Sequence, residues 1–394
     1  MMIFILFILC GSLFLLWQSE EAPIILVDTA PLTTEAPGSE PSVIVTATPD
    51  VPPLATSTQV PIEAPDVSPT MVPTEIPTQI PVAAPTEAPT EIHVVVPAVT
   101  ALTTYLKSPM TSNPYTSLSV PTQITKIGTD YFLVDCYHDL ILTATSLDTP
   151  LNQWLVMSDQ INRGHTIAGN GTVYLADDTE NHRILVFIKE GNTFIQTQIF
   201  ENIGNRPHYI DYDAATNRFY ALSSLTGELY VFYQEADTTQ VQLEKILNIP
   251  GMQNTYIRSF SIEEDEIYFA CNNGIILRTR LEDLTLLEQF SVPAELGGLI
   301  QVVKIQDFYY LTVSTDLSGN SDSATILRTR ELCNLADYGY EDLYETFGSD
   351  GTPYYISSMD GHYFLTQHCY LPGHGVWQFD IMEEDITNVV ALYP

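Results

Sequence analysis

Six copies of one strand-like pattern constrain this chain more than any other feature. YFLVDC at Tyr131, VYLADD at Val173, FYALSS at Phe219, IYFACN at Ile267, YYLTVS at Tyr309 and YFLTQH at Tyr363 recur at intervals of 42, 46, 48, 42 and 54 residues. A short alternating run ending in a polar turn precedes the later copies, as in HTIAGNG, HYIDYDAATN, SFSIEED, VVKIQD and YYISSMDG. Behind each copy comes a further apolar run (LILTAT, ILVFIK, LYVFYQ, IILRTR, TILRTR, VWQFDI), and usually a fourth such as FIQTQIF, LEKILNI, LLEQFSV or ITNVVALY.

Four short strands joined by Gly, Asn and Asp turns form a meander, and units of about 40 to 50 residues match one blade of a propeller. The pattern predicts an all-β fold over residues 101–394: a six-bladed β-propeller of four-stranded antiparallel blades. A solenoid would need capping repeats, and a sandwich would not repeat one local order six times.

The first hundred residues are built differently. MMIFILFILCGSLFLLW, Met1 to Trp17, carries no charge and no proline. As a helix rising about 1.5 Å per residue it would nearly cross a hydrocarbon layer of about 30 Å. With no Lys or Arg ahead of it and QSEE behind, it lacks the marks of a cleaved signal peptide. Residues 1–18 are therefore expected to be a transmembrane signal-anchor. Cys10 as an acylation site is disfavoured by Leu9 and by the apolar run that continues past it. Residues 19–100 hold sixteen of the 26 prolines and no Lys or Arg, in degenerate units such as PTEIPTQIPVAAPTEAPTEI. Proline removes backbone donors and fixes φ, so this segment is expected to be a disordered, extended Pro/Thr/Glu-rich stalk. Sugar attachment at its threonines, or use as a proline-rich ligand, are alternatives.

Charge limits the partners. With 49 Asp and Glu against 14 Lys and Arg, the net charge is -35, which opposes nucleic-acid binding. Five scattered cysteines and no C-x-x-C pair exclude a disulfide scaffold.

The stretch VYLADDTENHRILVF, from Val173 to Phe187, resembles the NHL repeat, in which a strand ending in Asp leads through an Asn-containing turn to Arg-Ile and a closing Phe. The close match spans about fifteen residues, and this chain has one extra residue in the turn from Asp178 to Asn181. The resemblance implies a six-bladed propeller and a turn tied together by Asp177 and Arg183. Those are structural roles, so it implies no particular activity.

Aligning the six copies places Gln123, His165, His208, Arg258, Gln301 and Tyr354 or Tyr355 at or near the start of each first strand, which in a propeller lines the channel. A ring of such donors with few anionic groups suits a carboxylate, a sugar or another polar ligand. The ends of the signature strands place Asp135, Asp177, Asp178, Asn272, Ser314 and His368 on a second layer, where Asp135, Asp177 and Asp178 are candidate Ca²⁺ ligands. HCYLPGH, from His368, could join Cys136 in a zinc site, or Cys369 could pair with Cys136 in a disulfide. There is no G-x-S-x-G elbow and no phosphate-binding glycine loop. The expected function is a membrane-anchored, extracytoplasmic binding or scaffold module for a glycan, peptide or protein, with no cofactor. The alternative is an exported hydrolase or lyase that uses a channel-bound Ca²⁺ on a lactone or polysaccharide.

Overall fold

The computed structural model describes residues 97–368 and 371–393. The expected anchor at 1–18 and nearly all of the stalk at 19–100 lie outside the described residues, as does Cys369. Among the described residues no helix is long and apolar enough to cross a membrane.

Among the described residues, twenty-five strands form six antiparallel sheets. Blade 1 contains β2 (Pro121–Ile127), β3 (Asp130–Asp135), β4 (Leu140–Ala144) and β5 (Leu155–Ser158). Blade 2 contains β6 (Ile167–Gly169), β7 (Val173–Asp178), β8 (Arg183–Glu190) and β9 (Thr193–Glu201). Blade 3 contains β10 (Pro207–Asp213), β11 (Arg218–Ser223), β12 (Glu228–Gln234) and β13 (Val241–Asn248). Blade 4 contains β14 (Ile257–Glu263), β15 (Glu266–Cys271), β16 (Ile275–Arg280) and β17 (Leu286–Ser291). Blade 5 contains β18 (Leu299–Ile305), β19 (Phe308–Val313), β20 (Thr325–Thr329) and β21 (Glu341–Asp342), and blade 6 contains β22 (Thr352–Met359), β23 (His362–His368), β24 (Val376–Met382) and β25 (Asp385–Ala391). The predicted six-bladed propeller is thus observed, each signature run being the second strand of its blade.

These runs are apolar on both faces because each second strand is clamped between two neighbours. In β11, Phe219 and Ala221 pack toward blade 2, while Tyr220 and Leu222 pack toward blade 4. In β15, Ile267, Phe269 and Cys271 face blade 3, and Tyr268 and Ala270 face blade 5. The period-2 alternation of a strand thereby divides one sequence between two seams, and the core is six seams rather than one central mass. Outer strands such as β17 and β25 are largely exposed, and they are correspondingly less apolar. Hairpins between first and second strands use left-handed residues, for example Asp360 (φ 54°) followed by Gly361 (φ 83°), as tight antiparallel turns require.

The ring closes without exchange of strands. Blade 6 meets blade 1 through Leu133, Phe364 and Val376, through the Thr366 hydroxyl donating to Thr122 O (2.8 Å) and through the Tyr393 hydroxyl donating to Leu147 O (2.9 Å).

The unforeseen element is β1 (Ala98–Lys107), which pairs with the outer edge of β9 and makes blade 2 five-stranded. It crosses the expected stalk boundary at residue 100. Beyond it the chain binds blade 1: Met110 N–H donates to Val156 O (3.1 Å) and Asn113 N–H to Trp154 O (2.7 Å). Residues 98–113 thus strap two blades from outside and cover strand edges that would otherwise be open. A chain beginning at residue 115 is expected to lose about 2 kcal/mol, to melt about 4 °C lower, and to self-associate through β9. Calorimetry with size-exclusion chromatography checks this, and an unchanged melt with a monomeric profile would count against it.

Candidate functional site

The innermost strands share a defect that aims side chains at the axis. Pairing with the second strand slips between Pro121 and Gln123, Pro207 and Tyr209, Ile257 and Ser259, Leu299 and Gln301, and Pro353 and Ile356. A β-bulge leaves an extra residue unpaired and redirects it. Those residues are Thr122, His208, Arg258, Ile300 and the pair Tyr354 and Tyr355. In blade 2, His165 and Thr166 stand at the same place, just ahead of β6.

Four blades meet through these residues. The imidazoles of His165 and His208 stack with ring centres 3.8 Å apart and planes 25° apart. From blade 6, the Tyr354 hydroxyl lies 3.4 Å from His208 Nε2, and the Tyr355 hydroxyl donates to Arg258 O (3.0 Å) while lying 3.2 Å from His208 Nδ1. His208 Nδ1 is itself 3.0 Å from Arg258 O. A neutral ring donating from Nδ1 leaves Nε2 to accept from Tyr354, which satisfies both nitrogens. Tyr355 reaches across the axis to blades 3 and 4, so the cup these side chains form is packed with buried rings.

Of the predicted channel residues, His165, His208, Arg258 and Tyr355 converge, whereas Gln123 and Gln301 do not. Gln301 clamps the next blade, accepting from Ile356 N–H (2.6 Å) and donating to Ile356 O (3.1 Å). Gln123 accepts from Ile167 N–H (2.7 Å) across the first seam. The bulge explains the correction, because the residue after it turns into the seam while the bulged residue faces the axis.

The three candidate calcium ligands are occupied by the protein's own donors. Fully buried Asp177 accepts from His165 N–H (2.9 Å), Thr166 N–H (2.7 Å) and the Thr166 hydroxyl (2.8 Å), and the Thr179 hydroxyl lies at 2.7 Å. Asp135 accepts from Ser119 and Val120 N–H and pairs with His138. Asp178 accepts from Asn162 N–H and Asn181, and it holds Arg183. The Arg183 partner is therefore Asp178, not Asp177 as the NHL resemblance implied: Asp178 stands directly across from Arg183 in the β7–β8 ladder, and strand alternation turns Asp177 to the opposite face. Among the described residues no three His, Cys, Asp or Glu side chains gather as a metal site.

Burial keeps the cup uncharged at its centre. It lowers His165 and lowers His208 well below the usual imidazole range, and the Arg206 and Arg258 charges add to both shifts. It also pushes the free Cys136 thiol well above its ordinary value, aided by Asp177. Cys136 Sγ lies 3.7 Å from His165 Nε2. Burial raises one partner and lowers the other, so the pair stays neutral, which is not the polarised arrangement of a thiolate nucleophile.

Alignment on the second strand overlooked two arginines at the mouth. NRGHTI at Asn162 and NRPHYI at Asn205 are a repeat within the repeat, and they put Arg163 and Arg206 two residues ahead of the histidines. Both arginines are left-handed (φ 56° and 62°), a conformation that costs a non-glycine residue about 1 kcal/mol or more. Asp139 Oδ1 accepts the Arg163 N–H (2.8 Å) and His182 Nδ1 accepts the Arg206 N–H (3.0 Å), which holds the two turns alike. Around the rim, Arg163 lies over the half-exposed Tyr137 ring (3.7 Å), and Tyr115 stacks on His138 (3.5 Å).

No family model matches the sequence, and no curated protein matches it. Among solved structures, the chain is similar to a Bacteroides uniformis protein provisionally described as a 6-phosphogluconolactonase, with 11% identity, 67% of this chain and 83% of that one covered, and a TM-score of 0.50. A streptogramin B lyase is another, with 12% identity, coverage of 74% and 88%, and a TM-score of 0.48. At such identities the likeness is one of fold: the chain is a six-bladed β-propeller.

Proposed function

We propose that this chain is a binding module displayed outside a membrane, with residues 1–18 as anchor, the segment from residue 19 up to β1 as stalk, and the channel mouth as the recognition site for a glycan, peptide or protein. The observation that carries the reading is the convergence of His165, His208, Arg258 and Tyr355 from four blades into one cup. The partly exposed rings of Tyr115 and Tyr137, one stacked on His138 and the other under Arg163, add aromatic surface of the kind that sugars and peptides contact. Binding is favoured over acyl transfer because the thiol and imidazole in the cup are both held neutral. The calcium-dependent hydrolase or lyase is the weaker reading, since Asp135, Asp177 and Asp178 already spend their oxygens on protein donors.

Glycan and peptide arrays probed with the detergent-solubilised full chain test the proposal. A ligand is expected whose affinity falls at least tenfold in His165→Asn while melting is retained. Equal capture by the variant would remove the cup from consideration. Elemental analysis of the same preparation decides the alternative: a stoichiometric calcium whose chelation lowers Tm would favour the enzyme.

A further inference from the structure

The strap outside blades 1 and 2 is fastened unevenly along its length. In β1 nine of ten residues are exposed, Leu102 is half-buried, and no side chain of the strand belongs to a core cluster of either blade. Among the described residues no side chain from Ala98 to Lys107 makes a hydrogen bond or an ion pair. The ladder with β9 is broken as well. Ala98 to Ala101 pair with Glu201 to Gln198, Leu106 and Lys107 pair with Gln196 and Ile195, and the residues from Leu102 to Tyr105 bulge opposite Thr197 alone. Pro97, immediately ahead of β1, is buried, a small apolar contact beside that broken ladder.

The fastening changes at Ser108. Its N–H (2.8 Å) and its hydroxyl (2.7 Å) both donate to Phe194 O. Two residues on, Met110 packs against the core cluster shared by blades 1 and 2, and Thr111 O accepts the Val156 N–H (2.8 Å). Asn113 is buried, and its side chain donates to Leu151 O (3.2 Å) while accepting the Tyr115 N–H (3.1 Å). Side-chain bonds and apolar burial thus begin where β1 ends, and they tie the chain to blade 1 rather than to the outer edge of blade 2.

We propose that β1 is a releasable strap, hinged at Ser108, that lifts from β9 as a unit while residues 108–113 stay on blade 1. Local opening costs only the contacts it breaks, so a strand held by an interrupted ladder and little burial opens far more often than the blade beneath it. Closed, the strap caps the outer edge of β9. Open, it bares that edge and adds its ten residues, up to about 34 Å when extended, to the chain that arrives from the N-terminal side. That chain joins at Ala98, so a pull from it breaks the ladder one pair at a time from the Ala98–Glu201 end. Use of the release as slack in a tether rests on the anchor and stalk proposed above, whereas the opening itself does not.

Hydrogen exchange of the detergent-solubilised full chain, read by mass spectrometry of its peptides, tests the proposal. Amides of 98–107 are expected to exchange about a hundredfold or more faster than those of β8, yet about threefold or more slower than an unstructured peptide. Amides of 110–113 should be about tenfold or more slower than those of β1. A disulfide between the ladder partners, made by Ala98→Cys with Glu201→Cys in a Cys333→Ser background, should slow exchange in 98–107 about tenfold or more, and reduction should restore the rate. Equal rates across 98–113, no protection of β1 at all, or an unchanged rate in the bridged chain would overturn the proposal; the unmodified chain decides the matter if the bridge does not form. Because the exchange pattern requires no ligand and no membrane, a failed search for array ligands leaves this result standing, and a failed exchange test leaves the binding-module reading standing.

Discussion

Asp177→Ala should lose about 4 kcal/mol of folding stability, and its Tm should fall by about 10 °C. The carboxylate is fully buried and gathers four donors from the segment that leads into the inner strand of blade 2 and from the turn after β7. Its loss strands two backbone N–H groups in the interior, and an unsatisfied buried donor costs more than the bond it made. The damage should spread to blade 3, because the Thr166 hydroxyl that donates to Asp177 also accepts from Ile210 N–H (2.8 Å). Asp177→Asn should recover little: one oxygen cannot serve both pairs of donors, and its amide would face two of them. Asp178→Ala should cost less, since its Arg183 partner can turn to solvent. Denaturant curves of the three variants provide the check. An Asp177→Ala chain that melts within about 2 °C of the parent would mean that these bonds do not hold the blade.

Acidification from pH 7 to 5 should destabilise the propeller before its ordinary carboxylates titrate. Burial lowers His165 and His208 and places His368 at about 3, so an unfolded chain takes protons near 6.5 that the folded one refuses. Where the unfolded state binds more protons, stability falls as pH falls, by roughly 1.4 kcal/mol per pH unit for each histidine excluded. Asp211 opposes the trend. Its value is pushed up to about 6, chiefly by burial, so the folded chain holds a proton between there and 3.8 that the unfolded chain releases, and this group adds stability as pH drops. Three histidines outweigh one carboxyl, and the net slope is downward. Melting curves at intervals between pH 7 and 5 measure it, and His368→Gln should flatten the slope. A Tm constant across that window would show that the histidines are open to water.

The strand pattern was legible because seam packing writes itself into local sequence. A second strand buried on both faces must be apolar throughout, as VYLADD and IYFACN nearly are, and the turns between strands must supply Asn, Asp and Gly. Convergence of His165 and His208 was legible for the same reason, since they stand at equal places in consecutive blades. The Gln123 and Gln301 error came from one residue of register. In a strand a single step exchanges opposite faces, and a bulge inserts that step where no propensity marks it. Arg163 and Arg206 were visible as a repeated Asn-Arg-x-His and were missed because alignment began from the second strand.

By itself the sequence determined the blade count and the order of strands within each blade, and it pointed to a polar, donor-rich axis, because these follow from periodicity and residue type within about fifty neighbouring positions. Tertiary structure alone decided three things. It sent Tyr355 across the axis to blade 3. It gave Asp177 four protein donors instead of an open coordination site, and it laid β1 on a strand some ninety residues further along the chain. Each depends on partners distant in sequence, whose pairing is fixed only when loop closure and ring closure bring the blades together.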